Sequence, residues 1–292
     1  AGYDKPKRLT AQFSVQSSCG THSSSHITTN TTWEASKGPI TFDSIYDGEH
    51  YNAMLEQPGW TTPTFDGKWG KASAVDAPIS ILSSQVFPPV RDLETFNAKK
   101  MTQPKPGVYV FDFEQNFSGW LKLSVKGPKN TTVKLRHAEL LDHSGDGMIY
   151  TANLRTAQAT DLYTLRGDPN GETYTPRFTY HGFRFAEVTG YPGTPDITTV
   201  QGRHVHSSLK RIGNLDFSSA SLSQVQSNII YGQQSNLMSV PTDCDQRDER
   251  LGWMGDAFLA AEEAMHNFDT AAFHSNYVRL IGDDQVDGAV AD

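Results

Sequence analysis

The sequence predicts a multidomain β + α fold, with two antiparallel β-sandwich units followed by helices. Three observations carry this expectation. Up to about residue 205, short runs rich in Val, Thr, Tyr and Phe alternate apolar with polar side chains and end in Gly, Pro or Asn, the period of half-buried strands. After about residue 215 the apolar residues recur at three- and four-residue intervals, the period of helices. Asp76 to Pro89, rich in Pro and Ser, reads as a connector between the two β units. The expected boundaries are therefore 1–75 for a partial amino-terminal sandwich, 76–206 for the second sandwich and 207–292 for the helical part.

Taken in order, the Ser/Thr-rich stretch Ser14 to Thr32 is expected to be partly disordered. Gly107 to Phe113, Trp120 to Val125 and Thr131 to His137 are the clearest strands. Asp142-His143-Ser144-Gly145-Asp146-Gly147 looks calcium-like but lacks the terminal Glu of an EF-hand loop, so it reads as a hairpin turn. His204 and His206 alternate along a strand, and two ligands without a third make a weak metal signal. A first helix begins near the cap Phe217-Ser218-Ser219 and carries Leu222, Val225, Ile229 and Ile230; a second runs from Asp256 through Glu263; a third opens at Asp269-Thr270 and carries Ala272, Phe273, Tyr277 and Leu280 toward Gly282.

The 292 residues carry a formal charge of −8, with 37% hydrophobic and 11% aromatic side chains, enough for two or three small cores. No basic stripe argues for nucleic acid, and the acidic balance disfavours anionic membrane surfaces. No apolar stretch is long enough to be a transmembrane segment. The chain opens Ala-Gly-Tyr without Met, as a processed or trimmed product would, and a secreted or periplasmic location is expected. Only Cys19 and Cys244 are present, too few for a disulfide framework; two idle thiols are the simpler reading, and pairing stays open. Asn30, Asn116 and Asn130 head glycosylation sequons, which matter only in a eukaryotic secretory pathway. No cofactor is required. Ca²⁺ is the one ion the sequence admits, at Asp43, Asp47 and Glu49, where a solvated loop is the simpler reading. Trp33, Trp60, Trp69 and Trp120 are candidates for a sugar platform, with core or sheet packing the safer reading for at least two of them.

The most informative segment is Pro241-Thr242-Asp243-Cys244-Asp245-Gln246-Arg247-Asp248-Glu249-Arg250-Leu251-Gly252-Trp253, closed by Gly255-Asp256, which holds five carboxylates, two guanidiniums and an indole. Charged side chains are rarely buried without partners, so this mixture fits a polar pocket better than a core. Glycoside hydrolysis needs a carboxylic acid to protonate the leaving oxygen and a second carboxylate to activate water or attack the sugar. An indole stacks on a pyranose face, while Asp and Arg hold its hydroxyls. Composition alone leaves a solvated, salt-bridged loop at a helix start as an equal alternative.

The segment closely resembles the signature of the bacterial-type α-L-rhamnosidase family of inverting glycoside hydrolases. Asp245 stands where the family usually has Pro, Met254 where it has Thr, and Phe258 where Gln is common. Upstream, Trp33, Gly38-Pro39-Ile40, Ile45 to Tyr51 and Gly59-Trp60 resemble the family's amino-terminal sandwich, a carbohydrate-binding-like unit. Pro106 to Trp120, Leu135 to Glu139, Asn153-Leu154-Arg155, Ala159-Thr160-Asp161 and Pro176 to Arg184 resemble its second sandwich. The resemblance implies that Glu249 is the general acid, with Asp243, Arg247, Trp253 and Asp256 contacting or supporting rhamnose. Asp245 would add negative charge near Glu249 and tend to raise its pKa. The implied catalytic fold is an (α/α) six-hairpin toroid, of which this chain carries the opening helices and is incomplete. The general base would lie far downstream; Asp248, Glu262 and Glu263 are poor substitutes.

Three readings follow. The favoured one is the amino-terminal portion of a glycosidase that releases terminal α-L-rhamnose from rhamnose-containing glycosides or polysaccharides by inverting hydrolysis, partnered by the rest of its catalytic domain as a continuing chain or second fragment. The alternative is a non-catalytic carbohydrate-binding or structural protein derived from the family. The third is a related polysaccharide-degrading enzyme with altered specificity, left open by Asp245, Met254 and Phe258.

Overall fold

The computed structural model describes residues 8–17, 23–76 and 83–290, so Cys19 and much of the connector Asp76 to Pro89 lie outside the described residues. The chain divides into two compact units, Ala1–Gly38 with Glu56–Ser83, and Pro39–Leu55 with Ser84–Asp292. The segment 39–55, which the sequence reading assigns to the first unit, thus belongs to the second. Its backbone explains this: strand Gly48–Asn52 pairs in parallel with Thr160–Thr164, and Glu49 and Ala53 are buried there.

In the first unit, strands Gln12–Ser17 and Ser23–Thr28, within or overlapping the Ser/Thr-rich stretch, form an antiparallel ladder with Phe13 opposite Ile27, while residues 18–22 of that stretch lie outside the described residues. Alternating Phe13 and Val15 give the stretch a strand pattern that Ser and Thr tolerate. Glu34–Ala35 pairs with Gly70–Lys71. Phe65 and Trp60 pack on Trp69 at 5.5 and 6.2 Å, and Trp69 Nε1 donates to Gln57 Oε1 at 2.6 Å.

The second unit is built on a ten-stranded sheet. Its order is Ile40–Ser44, Gly48–Asn52, Thr160–Thr164, Thr132–Ala138, His181–Thr189, Val108–Val125, Val200–Ser207 and Val90–Asn97, with Glu172–Tyr174 and Lys100–Lys105 also on Val108–Val125. The two strands expected at 107–113 and 120–125 are one long strand that turns in its middle. Glu114 takes φ +61° there, its N–H held by Asp112 Oδ1 at 2.7 Å, and Gly119 takes φ +152°. A Cβ on Gly119 would overlap the Arg203 carbonyl oxygen, which fixes glycine where the neighbouring backbone approaches most closely. Phe111, Phe113, Phe117, Leu121 and Leu123 from this strand meet Val133, Leu135, Tyr163 and Phe183 in the main core. The turn at Asp142 to Gly147 joins Leu140–Leu141 to Ile149–Tyr150, a hairpin as expected.

Three helices follow, α1 (Ala220–Ser235), α2 (Met254–Asn267) and α3 (Ala271–Asp283). Ser219 is the N-cap of α1, yet Leu222 and Val225 are exposed and the buried positions are Gln226, Ile230, Gln233 and Ser235. The polar ones are buried because they have partners: Gln226 Nε2 donates to Asn267 Oδ1 of α2 at 2.9 Å, and Ser235 Oγ accepts from Ser118 N at 3.0 Å. Leu209, Ile230, Leu237, Phe268 and Phe273 form the small core joining the helices to the sheet. No described helix is long and apolar enough to cross a membrane.

Candidate active site

The motif segment lies between the short hairpin Leu237–Met238/Val240–Pro241 and the first turn of α2. It has no regular structure of its own, so side chains close it. Asp243 N donates to Leu251 O at 3.0 Å, and Asp243 Oδ1 accepts from Leu251 N at 2.8 Å. The Asp243 side chain is thus 4% exposed and shapes the loop from within.

Arg250, with φ +52°, moors the loop to the sheet unit. Its Nη1 donates to the carbonyls of Ile45 and Tyr180, while Nε and Nη2 donate to Arg247 O and Gln246 O at 3.1 Å each. The guanidinium also lies 4.9 Å from the Tyr180 ring and 5.6 Å from that of Tyr46. Tyr46 Oη in turn donates to Glu249 O at 2.8 Å.

The backbone at Glu249 is therefore fixed, and so is its side chain. Trp253 Nε1 donates to Oε1 at 3.0 Å; Arg247 Nε and Arg155 Nη1 each lie 3.0 Å from Oε2. Arg247 also reaches Asp243 Oδ2 at 3.4 Å. Four of the five residues singled out in the sequence, Asp243, Arg247, Glu249 and Trp253, thus meet in one polar knot. Asp256 stands outside it, exposed in the first turn of α2, where the positive end of the helix dipole favours a carboxylate. Beside the knot, a cavity of about 500 Å³ is lined by Leu251, Gly252, Trp253, Met254 and Tyr277, in the size range of small-molecule sites.

The sheet unit contributes residues to which sequence reading gave no role. Arg155 and Thr156 come from the turn after Ala152–Leu154; Thr156 donates to Asp248 Oδ2 through Oγ1 and, at 3.4 Å, through its N–H, holding the Asp248 carboxyl below its usual range. Glu139 accepts from Asn116 Nδ2 at 2.9 Å and Asn153 Nδ2 at 3.1 Å; burial raises its pKa, opposed by these bonds and by Arg247. The available signal was that Asn116, Glu139 and Asn153-Leu154-Arg155 all fall in family-like segments.

Asp245 was expected to place charge near Glu249. Its carboxylate packs on Gly182, where a Cβ would overlap it, and faces Ser235, Glu139 and Arg250. Burial pushes its pKa up to about 7. Burial likewise pushes the Cys244 thiol up to about 11, an unreactive form. Glu262 and Glu263 are helix charges, paired with His266 at 4.0 Å and Asn267 at 2.6 Å.

Among the described residues, two groups have metal-ligand composition. Asp243, Cys244 and Glu249 offer atoms within 4.8 Å of one another, but the Arg247 guanidinium already serves that set as its cation. His137, Asp161 and His181 are wholly buried, with the two rings stacked at 4.0 Å and 20°. The Asp161 carboxylate lies 3.2 Å from His181 Nε2, which can donate its N–H to it, and 3.8 Å from His137 Nε2. Burial raises Asp161 to about 6 and lowers His137 to about 3. In the calcium-like set, Glu49 turns its carboxylate to Tyr174 Oη and Arg177 N, each at 3.1 Å, and Asp47 accepts from Ser44 Oγ and Gln158 N, also at 3.1 Å. The rings of His204 and His206, on the strand Val200–Ser207, lie 4.6 Å apart and tilted by 55°, with Glu94 of the neighbouring strand Val90–Asn97 3.8 Å from His204 Nδ1.

Comparison with known proteins covers nearly the whole chain. Residues 1–94 match the alpha-L-rhamnosidase N-terminal domain, 102–206 the bacterial alpha-L-rhamnosidase concanavalin-like domain, and 210–292 the bacterial alpha-L-rhamnosidase 6 hairpin glycosidase domain. An alpha-L-rhamnosidase of Streptomyces avermitilis is 45% identical over 99% of this chain and 28% of its own length. The solved structure of the Streptomyces avermitilis enzyme complexed with L-rhamnose superposes with TM-score 0.92 at 45% identity, over 97% of this chain and 27% of that one. That of the Dictyoglumus thermophilum alpha-L-rhamnosidase gives TM-score 0.89 at 44% identity, over 92% and 31%. The chain therefore spans under a third of the length of these relatives.

Proposed function

The chain belongs to the bacterial α-L-rhamnosidase family, and from that premise we propose that it supplies the proton donor and part of the sugar site of an inverting glycosidase acting on terminal α-L-rhamnose. The observation that carries this reading is the carboxyl of Glu249, held by an indole N–H on one oxygen and two guanidiniums on the other, beside a cavity walled by the same indole. In this role Glu249 protonates the departing glycosidic oxygen while positive charge develops on the sugar ring. Trp253 performs two tasks at once, orienting Glu249 through Nε1 and offering ring surface to the pyranose. Arg247 and Asp243 keep the loop in register.

Asp243 does not fit the second carboxylate. An inverting base stands roughly 6.5–9.5 Å from the acid, with water between, whereas Asp243 has an oxygen within 4.8 Å of Glu249 and spends both oxygens inside the loop. The test is a panel of synthetic aryl glycosides given to the full-length protein, with proton NMR of the first-formed sugar. The reading predicts release from α-L-rhamnosides with the β-anomer appearing first. Retention of the α-anomer would contradict inversion, and binding of L-rhamnose without release would favour the non-catalytic alternative.

A further inference from the structure

The oxygen of Glu249 that carries the ion pairs is also the one that is covered. Glu249 Oε2 is buried, and neither guanidinium meets it with good hydrogen-bond alignment. Oε1 is taken by Trp253. A glycosidic oxygen therefore reaches the carboxyl only if one guanidinium gives way. Arg247 is tied to Asp243 within the same loop, at 3.4 Å. Arg155 is not so tied, and its side chain is 51% exposed.

A second carboxylate oxygen waits beside it. Asp248 Oδ2 is occupied by Thr156, which fixes the carboxylate, while Oδ1 is buried without a hydrogen-bond partner and lies 4.0 Å from Arg155 Nη1. Arg155 itself sits on a firm base: its N–H bonds Ala152 O, Leu154 is buried beneath it, and its own φ is +58°, a conformation such a residue adopts only where its surroundings impose it.

We propose that Arg155 is a positioning residue with two stations, holding Glu249 Oε2 in the resting site and moving to Asp248 Oδ1 when substrate takes its place. This rests on the reading of Glu249 as the acid. The exchange swaps one ion pair for another, so the carboxyl is uncovered without leaving a guanidinium unpaired next to the substrate. Asp248, adjacent in sequence to the acid, thereby serves as the resting place of the displaced cation. The charged groups facing this exchange are Arg247 and Asp243 within the loop and Glu139 and Arg155 from the sheet unit.

The test is a cycle of Arg155→Gln, Asp248→Asn and the double variant in the full-length protein, read on 4-nitrophenyl α-L-rhamnopyranoside, with circular dichroism confirming that each folds. Each single change should lower kcat about tenfold with KM within about threefold, because a misplaced catalytic group loses up to about a hundredfold. The double variant should lose no more than either single, and Arg155→Lys should recover part of the loss. Losses that multiply, or an unaffected Arg155→Gln enzyme, would overturn the proposal. A readout without turnover separates this from the function itself: ¹⁵N NMR of the Arg155 guanidinium should show hindered rotation in the unliganded protein that disappears in Glu249→Gln. Free rotation in the unsubstituted protein would refute the resting station even if the enzyme is active. If Glu249→Gln keeps full activity while the rotation result holds, the acid assignment fails and the resting ion pair stands.

Discussion

The carboxyl of Asp245 lies buried against Gly182 and Ser235, in the fields of Glu139 and Arg250, and burial lifts its pKa to about 7. The sign of the consequence follows from proton counting. Between about pH 4 and 7 the folded chain holds a proton on Asp245 that the unfolded chain has lost, so this group makes stability fall as pH rises through that window. His137 and His206, lowered to about 3 and about 4, act oppositely, losing stability as pH falls below their ordinary range. Asp245→Asn should therefore gain on the parent by more than about 1 kcal/mol in urea unfolding between pH 4.5 and 7.5, since one pKa unit is about 1.4 kcal/mol. A constant difference across that range would mean that Asp245 is ionised throughout. That Glu249 and Trp253 belong together was legible in the sequence, because both sit in one short charged run and the structure joins them at 3.0 Å; the role of acid for Glu249 is what the family resemblance implies. The placement of Asp245 was not, since adjacency in the chain says nothing of which way a loop side chain turns. Arg155, Thr156 and Tyr46 were invisible as site residues for a related reason: they reach Glu249 or its neighbour across about 90 to 200 residues of chain.

At the scale of elements, alternation revealed the strands, and Val133, Leu135 and His137 face inward as their period requires. It did not reveal that 107–113 and 120–125 are one strand, because the turn at Glu114 and Gly119 breaks the alternation that would have joined them. The clash of any Cβ at Gly119 with the Arg203 carbonyl makes a clear prediction. Gly119→Ala should cost roughly 2 kcal/mol or more in urea unfolding, as a residue forced into a glycine-only conformation against backbone. A change under about 0.5 kcal/mol would show that the strand can shift to accommodate it. Helix α1 misled for the opposite reason: Leu222 and Val225 have helical spacing, yet the packed face is the one where Gln226 and Gln233 are buried. Period locates a helix, but partners decide which face it buries.

For the molecule as a whole, the motif loop 241–253 is an extension of the sheet unit. Arg250 donates to carbonyls from Ile45 and Tyr180 and to two within its own loop, so one side chain joins the motif to segments about 70 and 200 residues earlier. Replacing it with Met should leave the sheet core intact while amide hydrogen exchange across 243–253 accelerates at least about tenfold, because four carbonyls lose their donor. Equal protection in parent and variant would assign the mooring elsewhere. In this arrangement the residues nearest Glu249 are drawn from both the β-rich part of the chain, with Arg155 and Tyr46, and the segment that leads into the helices, with Arg247 and Trp253. The most direct test of the central claim, that Glu249 donates the proton, is the leaving-group dependence of Glu249→Gln in the full-length protein across aryl α-L-rhamnosides. The loss in kcat/KM should be small for a 2,4-dinitrophenyl group, which departs without protonation, and grow to at least about a thousandfold for poor leaving groups. A loss that is uniform across the series, or absent, would contradict the assignment.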